Sequence, residues 1–168
     1  ILTQIAFGIT GVQTNPEFID ILKYTKENGV IPNLTLAGAD LTDDLAKEIV
    51  KYVGAVAVSC YEVNKNLCYD TVKKFTDLGL TQVNIHLMVS NETLPFVYEV
   101  LQDIQSDKRL SKLKAVVFLG LKPKGRGIKQ SVCDLDTYKS LITYCIHNKI
   151  KFGFDSCSAR KFETVVRS

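Results

Sequence analysis

The feature that most constrains this chain is a repeated alternation: a short apolar run of strand character, a polar loop, an amphipathic segment, and then the next apolar run. Leu2 to Phe7, Val30 to Leu36, Ala55 to Val58, Gln82 to Val89, the run opening at Ala115 and Lys151 to Phe154 are short and mostly β-branched, aromatic or small, which predicts strands. Between them apolar residues recur at helical spacing. Phe18, Ile21, Leu22 and Thr25 follow Asn15-Pro16, an N-cap and a first-turn proline. Leu45, Ile49 and Val53 follow a Thr42 cap, and Asp43 and Asp44 complement the helix dipole. Cys68, Val72, Phe75 and Leu78 form a third stripe. Leu94, Val97, Tyr98, Leu101 and Ile104 form a fourth, and Leu135, Tyr138, Leu141, Ile142 and Cys145 behind Asp134 a fifth. Gly29, Gly54 and Gly79 close three of the returns, and Ser158 to Val166 predicts a last helix. Strands alternating with helices in this way predict an α/β fold, a parallel sheet of alternating β-α units with covering helices.

A chain of 168 residues fits one domain over 1–168, and 46% hydrophobic with 23% charged residues is ordinary globular composition. It starts at Ile1, directly on strand-like residues and without an initiator methionine, as expected of a fragment. A formal net charge of +3 is too small for a nucleic-acid surface. No apolar run is long enough to cross a membrane and no secretory signal opens the chain, so a cytoplasmic location without membrane attachment is expected. The five cysteines are scattered without zinc-type spacing, which fits a reducing compartment.

The loops are unequal. Helix-to-strand returns are minimal, whereas the strand-to-helix loops hold the polar residues and most glycines, and parallel α/β folds bind ligands at the carboxyl ends of their strands. Those exits give Gly8, Thr10, Gly11 and Gln13; Asn33, Thr35 and Gly38; Ser59, Tyr61 and Asn64; Asn84, His86 and Ser90; Lys122 and Arg126; Asp155, Ser156 and Cys157. Hydroxyls and amides dominate, with cations at one end and no carboxylate pair. The set suits a polar, zwitterionic, nucleoside-like ligand better than acid–base hydrolysis. Asn33 and Thr35 alternate with Leu34 and Leu36, so they share one face of a strand, and polar groups would be costly under helices. After Ala115 to Leu119, the loop from Lys122 to Lys129 carries four cations and no acidic residue, and its proline and glycines exclude a regular helix.

Taken in order, FGITGVQTNPEF, IPNLTLAGAD, AVAVSCYE, VNIHLMVS, VVFLGLKPKGRG and FGFDSCS resemble the core of a radical S-adenosylmethionine (radical SAM) enzyme from its second strand onward. The first segment resembles the family's glycine-rich second-strand motif, PNLTLAG its third strand, Ser59 the ribose or carboxylate contact of its fourth, and LKPKGRG the loop after its sixth. The resemblance implies a partial (β/α)6 TIM-like barrel, incomplete at the N-terminus, that binds SAM on its rim and cleaves it reductively to a 5′-deoxyadenosyl radical. It implies SAM contacts at Gly8, Thr10, Gly11, Asn33, Thr35, Ser59 and His86, with Lys122 or Arg126 meeting a carboxylate. It further implies a 4Fe–4S cluster, an electron donor and a small-molecule or peptide substrate. The family's C-x-x-x-C-x-x-C loop is not in this chain, so the cluster ligands are expected outside it. Ile9 to Gln13 also lacks the acidic residue that commonly follows the glycines. Cys157 is a candidate ligand for an auxiliary cluster. The competing reading is a non-redox α/β domain that binds an anionic or phosphorylated small molecule through Lys122 to Lys129.

Overall fold

In the computed structural model, residues 1–156, 158 and 163–165 are described, with the side chain of Arg126 excepted. Six strands form one parallel sheet in sequence order: β1 (Gln4–Gly8), β2 (Ile31–Leu36), β3 (Ala55–Ser59), β4 (Val83–Val89), β5 (Ala115–Gly120) and β6 (Phe152–Phe154). Helices α1 (Phe18–Glu27), α2 (Asp43–Ile49), α3 (Lys65–Asp77), α4 (Leu94–Ser106) and α5 (Leu135–His147) follow the first five strands in turn. The α/β class and parallel sheet expected from the alternation are therefore observed, as an open sheet that matches the partial barrel-like fold the resemblance implies.

The chain divides into two compact units. The first comprises Ile1–Ile85 with Lys108–Lys114, the second His86–Asp107 with Ala115–Ser168. In the first unit, β1 pairs with β2 from Gln4↔Ile31 to Gly8↔Thr35, and β2 pairs with β3 from Asn33↔Ala55 to Leu36↔Val58. Period-two geometry then sorts the side chains. Leu34, Leu36, Val56 and Val58 are fully buried on the face where α1 meets β2 and α3 meets β3, together with Leu22, Val72 and Phe75. Asn33, Thr35 and Ser59 are only half-buried on the opposite face. In the second unit β5 pairs with β6 from Val116↔Phe152 to Phe118↔Phe154, and the core gathers Leu87, Val97, Leu101, Phe118, Tyr138 and Leu141. Phe154 packs at 5.5 Å from Phe118 and 6.0 Å from Tyr138, ring centre to ring centre.

Several boundaries differ from expectation, each for a local reason. β1 starts at Gln4 rather than Leu2, and the only ladder contact before it is the Thr3 carbonyl accepting from Ile31 N–H at 3.0 Å. Asn15 does not cap α1. Its Oδ1 accepts from Glu17 N–H at 2.9 Å, closing an Asx turn over Pro16, and the helix begins at Phe18. Thr42 and Asp134 do cap, accepting from Leu45 N–H at 3.2 Å and Thr137 N–H at 2.8 Å. After β3, Glu62–Asn64 form a 3-10 turn and α3 begins at Lys65, ahead of the first residue of its apolar stripe, Cys68. Of the expected last helix, Glu163, Thr164 and Val165 are helical; apart from Ser158, its other residues lie outside the described ones.

Phe75 is fully buried in the first unit and Val63 is almost wholly exposed. Phe75→Ala should therefore cost about 3–5 kcal/mol in urea unfolding, and Val63→Ser within about 0.5 kcal/mol of none.

Candidate functional site

In the first unit the face away from the helices is paved with small residues. Ala6, Asn33 and Ala55 form one row across β1, β2 and β3, and Gly8, Thr35 and Ala57 form the next toward the carboxyl ends. Thr35 thus stands between a glycine and an alanine, with a hydroxyl that makes no hydrogen bond among the described residues. A Cβ built on Gly8 would meet nothing within 4 Å. Ser59 ends β3 on the same face, and its hydroxyl is likewise uncommitted among the described residues. Asn33 sits lower, at the third of six positions in β2, where its amide donates to Gln4 Oε1 at 3.0 Å.

The loops above this face are tied by short polar side chains. Asn64 donates to the Ser59 carbonyl at 3.1 Å and the Ala37 carbonyl at 3.5 Å, and its Oδ1 accepts from Tyr61 N–H at 2.7 Å, so one amide joins the exits of β2 and β3. Gln13 donates to the Asp40 carbonyl at 3.3 Å, linking the exits of β1 and β2. Gly11 is buried beside that link, and its carbonyl accepts from Thr14 Oγ1 at 2.7 Å, whereas Thr10 is exposed. Asp40 takes the left-handed conformation at φ 58°.

In the second unit, His86 is half-buried on β4. Burial pushes its pKa below the ordinary value of 6.5 and the nearby Asp155 carboxylate opposes this only in part, so the imidazole is neutral at pH 7. Asp155 joins two strand exits, its Oδ1 accepting from Ser158 N–H at 3.0 Å and from Gly120 N–H at 3.5 Å. Ser90 is fully buried and exchanges hydrogen bonds with Thr93 at the start of α4, a capping role. After β5 the chain makes a 3-10 turn, Gly125–Lys129, in place of a regular helix. A Cβ on Gly127 would stand 2.7 Å from the Lys122 carbonyl, so backbone crowding itself requires this glycine. Lys122 and Lys124 are exposed, and Arg126 contributes backbone to the turn. The turn is anchored at its far end: Glu92 accepts from Ser131 N–H at 2.9 Å and Ser131 Oγ at 2.7 Å, which holds the Glu92 carboxyl down at about 2.

Gly8, Thr35 and Ser59 therefore fall on one face of the first unit, with Gly11 and Thr10 in the loop that leaves it. His86, Lys122 and Arg126 belong to the second unit, and Cys157 lies outside the described residues. The sequence reading gave no special weight to Asn64 and Asp155, and it did not single out Asp40 or Glu92. Asn64 and Asp155 bond within five residues of themselves, a local signal of turn chemistry; the Glu92 to Ser131 contact spans 39 residues and leaves none.

The arrangement fits SAM in chemical kind, with uncommitted hydroxyls for ribose or carboxylate beside a smooth floor able to accept a flat base. It does not fit an iron–sulfur cluster. Among the described residues no three His, Cys, Asp or Glu side chains are grouped to hold a metal. Cys60, Cys68, Cys133 and Cys145 are buried and outside any disulfide; Cys60 and burial push the Cys68 thiol far up, and burial pushes Cys145 up to about 11.

No protein-family model and no curated protein matches the chain. Among solved structures it is similar to SuiB of Streptococcus suis, with a TM-score of 0.70 at 11% identity over 90% of this chain. SuiB bound to precursor peptide SuiA matches equally well, over 91% of this chain at the same identity. The chain spans 38% of the SuiB length. At that identity the likeness concerns the fold alone, an α/β arrangement of parallel strands and helices. No helix among the described residues is long and apolar enough to cross a membrane.

Because the folded-state pKa of His86 lies below 6.5, the unfolded chain takes up its proton first on acidification. Stability is thus fully present above about pH 6.5 and declines as pH falls from there toward the folded pKa. An NMR titration should give a His86 midpoint below 6.5, and Asp155→Asn should lower it further.

Proposed function

We propose that this chain is the SAM-binding core of a radical SAM-type enzyme acting on a peptide. The observation that carries the proposal is the face of the first unit away from its helices, where the Thr35 and Ser59 hydroxyls have no hydrogen-bond partner among the described residues and stand beside Gly8 and Ala57. A polar pair so uncommitted on a surface of small residues is what a ribose or an amino-acid head group requires. The fold likeness to SuiB supports the class, and the precursor peptide bound to SuiB favours a peptide over a small-molecule substrate. On this reading Gly8, Thr10 and Gly11 lie against the methionine end of SAM, Thr35 and Ser59 hydrogen-bond it, and Asn33 fixes the floor through Gln4. The second unit keeps its own candidate contacts, neutral His86 as a hydrogen-bonding group and Lys122 and Arg126 as cations toward a carboxylate.

SAM reduced at a 4Fe–4S cluster is a source of 5′-deoxyadenosyl radical chemistry, and an electron donor must drive it. The described residues do not fit the cluster, so their part is to bind and orient SAM. Cys157 is retained as a candidate auxiliary ligand.

Isothermal titration calorimetry with SAM tests the assignment directly. The chain should bind SAM, and Thr35→Val and Ser59→Ala should each weaken binding about three- to tenfold, the worth of one hydrogen bond. Arg126→Ala should weaken it as well. Absence of binding at millimolar SAM, or unchanged affinity in all three variants, would overturn the proposal.

A further inference from the structure

We infer that the loop from Lys122 to Val132 is a docking surface for an acidic, aliphatic-rich peptide segment, a substrate class that builds on the peptide reading above. Charge is the first reason. Lysines elsewhere in the protein stand against carboxylates: Lys74 with Asp43 at 2.6 Å, Lys112 with Asp77 at 2.8 Å and Lys47 with Asp44 at 3.0 Å. Lys124 and Lys129 form no ion pair among the described residues, and no acidic residue occurs from Lys122 to Cys133. The Glu92 carboxylate that meets the loop is committed to the N–H and hydroxyl of Ser131. Lys124 and Lys129 therefore present positive charge that is unpaired among the described residues.

Apolar exposure is the second reason. Ile128 is 72% exposed, directly beside Lys129, and Val132 is 42% exposed just after the Ser131 clamp. A phosphate or a free carboxylate gains nothing from a neighbouring isoleucine; a peptide that alternates acids with aliphatic residues uses both. Preorganisation is the third. The turn is closed by Gln130 N–H donating to the Gly127 carbonyl at 3.1 Å, crowded at Gly127 by the Lys122 carbonyl and pinned at Ser131 from two sides, by Glu92 and by Asn91 N–H donating to the Ser131 carbonyl at 3.0 Å. A loop ordered before binding loses little entropy when a partner arrives.

The test is fluorescence anisotropy of the chain with a labelled dodecapeptide of alternating glutamate and leucine, compared with peptides in which serine replaces leucine or lysine replaces glutamate. The parent peptide should bind best, and added sodium chloride should weaken it. Lys124→Glu combined with Lys129→Glu should weaken it about tenfold or more, and Ile128→Ser about threefold. Equal binding of the serine peptide, with inorganic phosphate displacing it beyond its ionic-strength effect, would reduce the loop to a simple anion site and overturn the inference. So would unchanged peptide binding in the variants. The two proposals separate cleanly: SAM binding without peptide binding overturns only the docking surface, and peptide binding without SAM binding overturns only the cofactor assignment. The peptide comparisons use the unmutated chain, so they decide the matter even where a variant fails to fold.

Discussion

The functional chemistry of this protein depends on its strands being covered by helices on one face. Along β2, Leu34 and Leu36 lie under helices while Asn33 and Thr35 look the other way, and the register aligns the same two faces in β1 and β3. Period-two alternation makes the division all or nothing, since a one-residue slip would bury Asn33 and Thr35 and expose the leucines. The polar groups of the open face are tolerated because water or a ligand can satisfy them. The same apolar packing that stabilises the first unit thus leaves a row of partly free hydroxyls on its other side.

Irregular chain above the strands needs a different source of order. Here it comes from short polar side chains with several hydrogen-bonding atoms each. Asn64 uses both ends of its amide to join two strand exits, and Asp155 uses one oxygen to hold two backbone N–H groups. Glu92 receives both donors of Ser131. Each contact satisfies backbone groups that a loop would otherwise leave to solvent, so the rim is fixed without adding a strand or helix. This explains why residues that resemble ligand contacts in sequence divide into two kinds. Ser90 and Asn64 are consumed by structure, whereas Thr35 and Ser59 are not.

Much of the architecture was legible in the sequence because burial and periodicity coincide. Leu22, Val72, Val97 and Leu141 fall on stripes that predict helices, and all are fully buried. Boundaries were less legible where side-chain hydrogen bonds compete with helix formation: Asn15 has the composition of an N-cap yet spends its oxygen on an Asx turn, and the helix starts later. The site was legible as a set of residue types at strand exits but not as depth. Asn33 and Thr35 share a face, and only the pairing of Asn33 with Ala6 and Ala55 sets it a row below Gly8 and Ala57. Division of the chain into two units left no mark in composition, because the boundary runs through β4 between Ile85 and His86.

The glycines bring the argument to its finest point. In a loop such as Lys122 to Lys129 a glycine invites the reading that backbone approaches a ligand, but at Gly127 the Lys122 carbonyl alone excludes a side chain. Gly120 is similarly occupied by Ser158. Gly8 and Gly153 are different: neither has a positive φ, and a Cβ on either would enter open space. Both lie on faces away from their unit's buried side chains, Gly8 beside Thr35 and Gly153 beside Val117. A side chain at either position would break no contact within the protein, and glycine also weakens a strand relative to other residues. What glycine does provide at these positions is a bare surface. In the basic loop, crowding thus accounts for Gly127 and a positive φ of 56° for Gly125, whereas at Gly8 and Gly153 glycine leaves the strand surface bare.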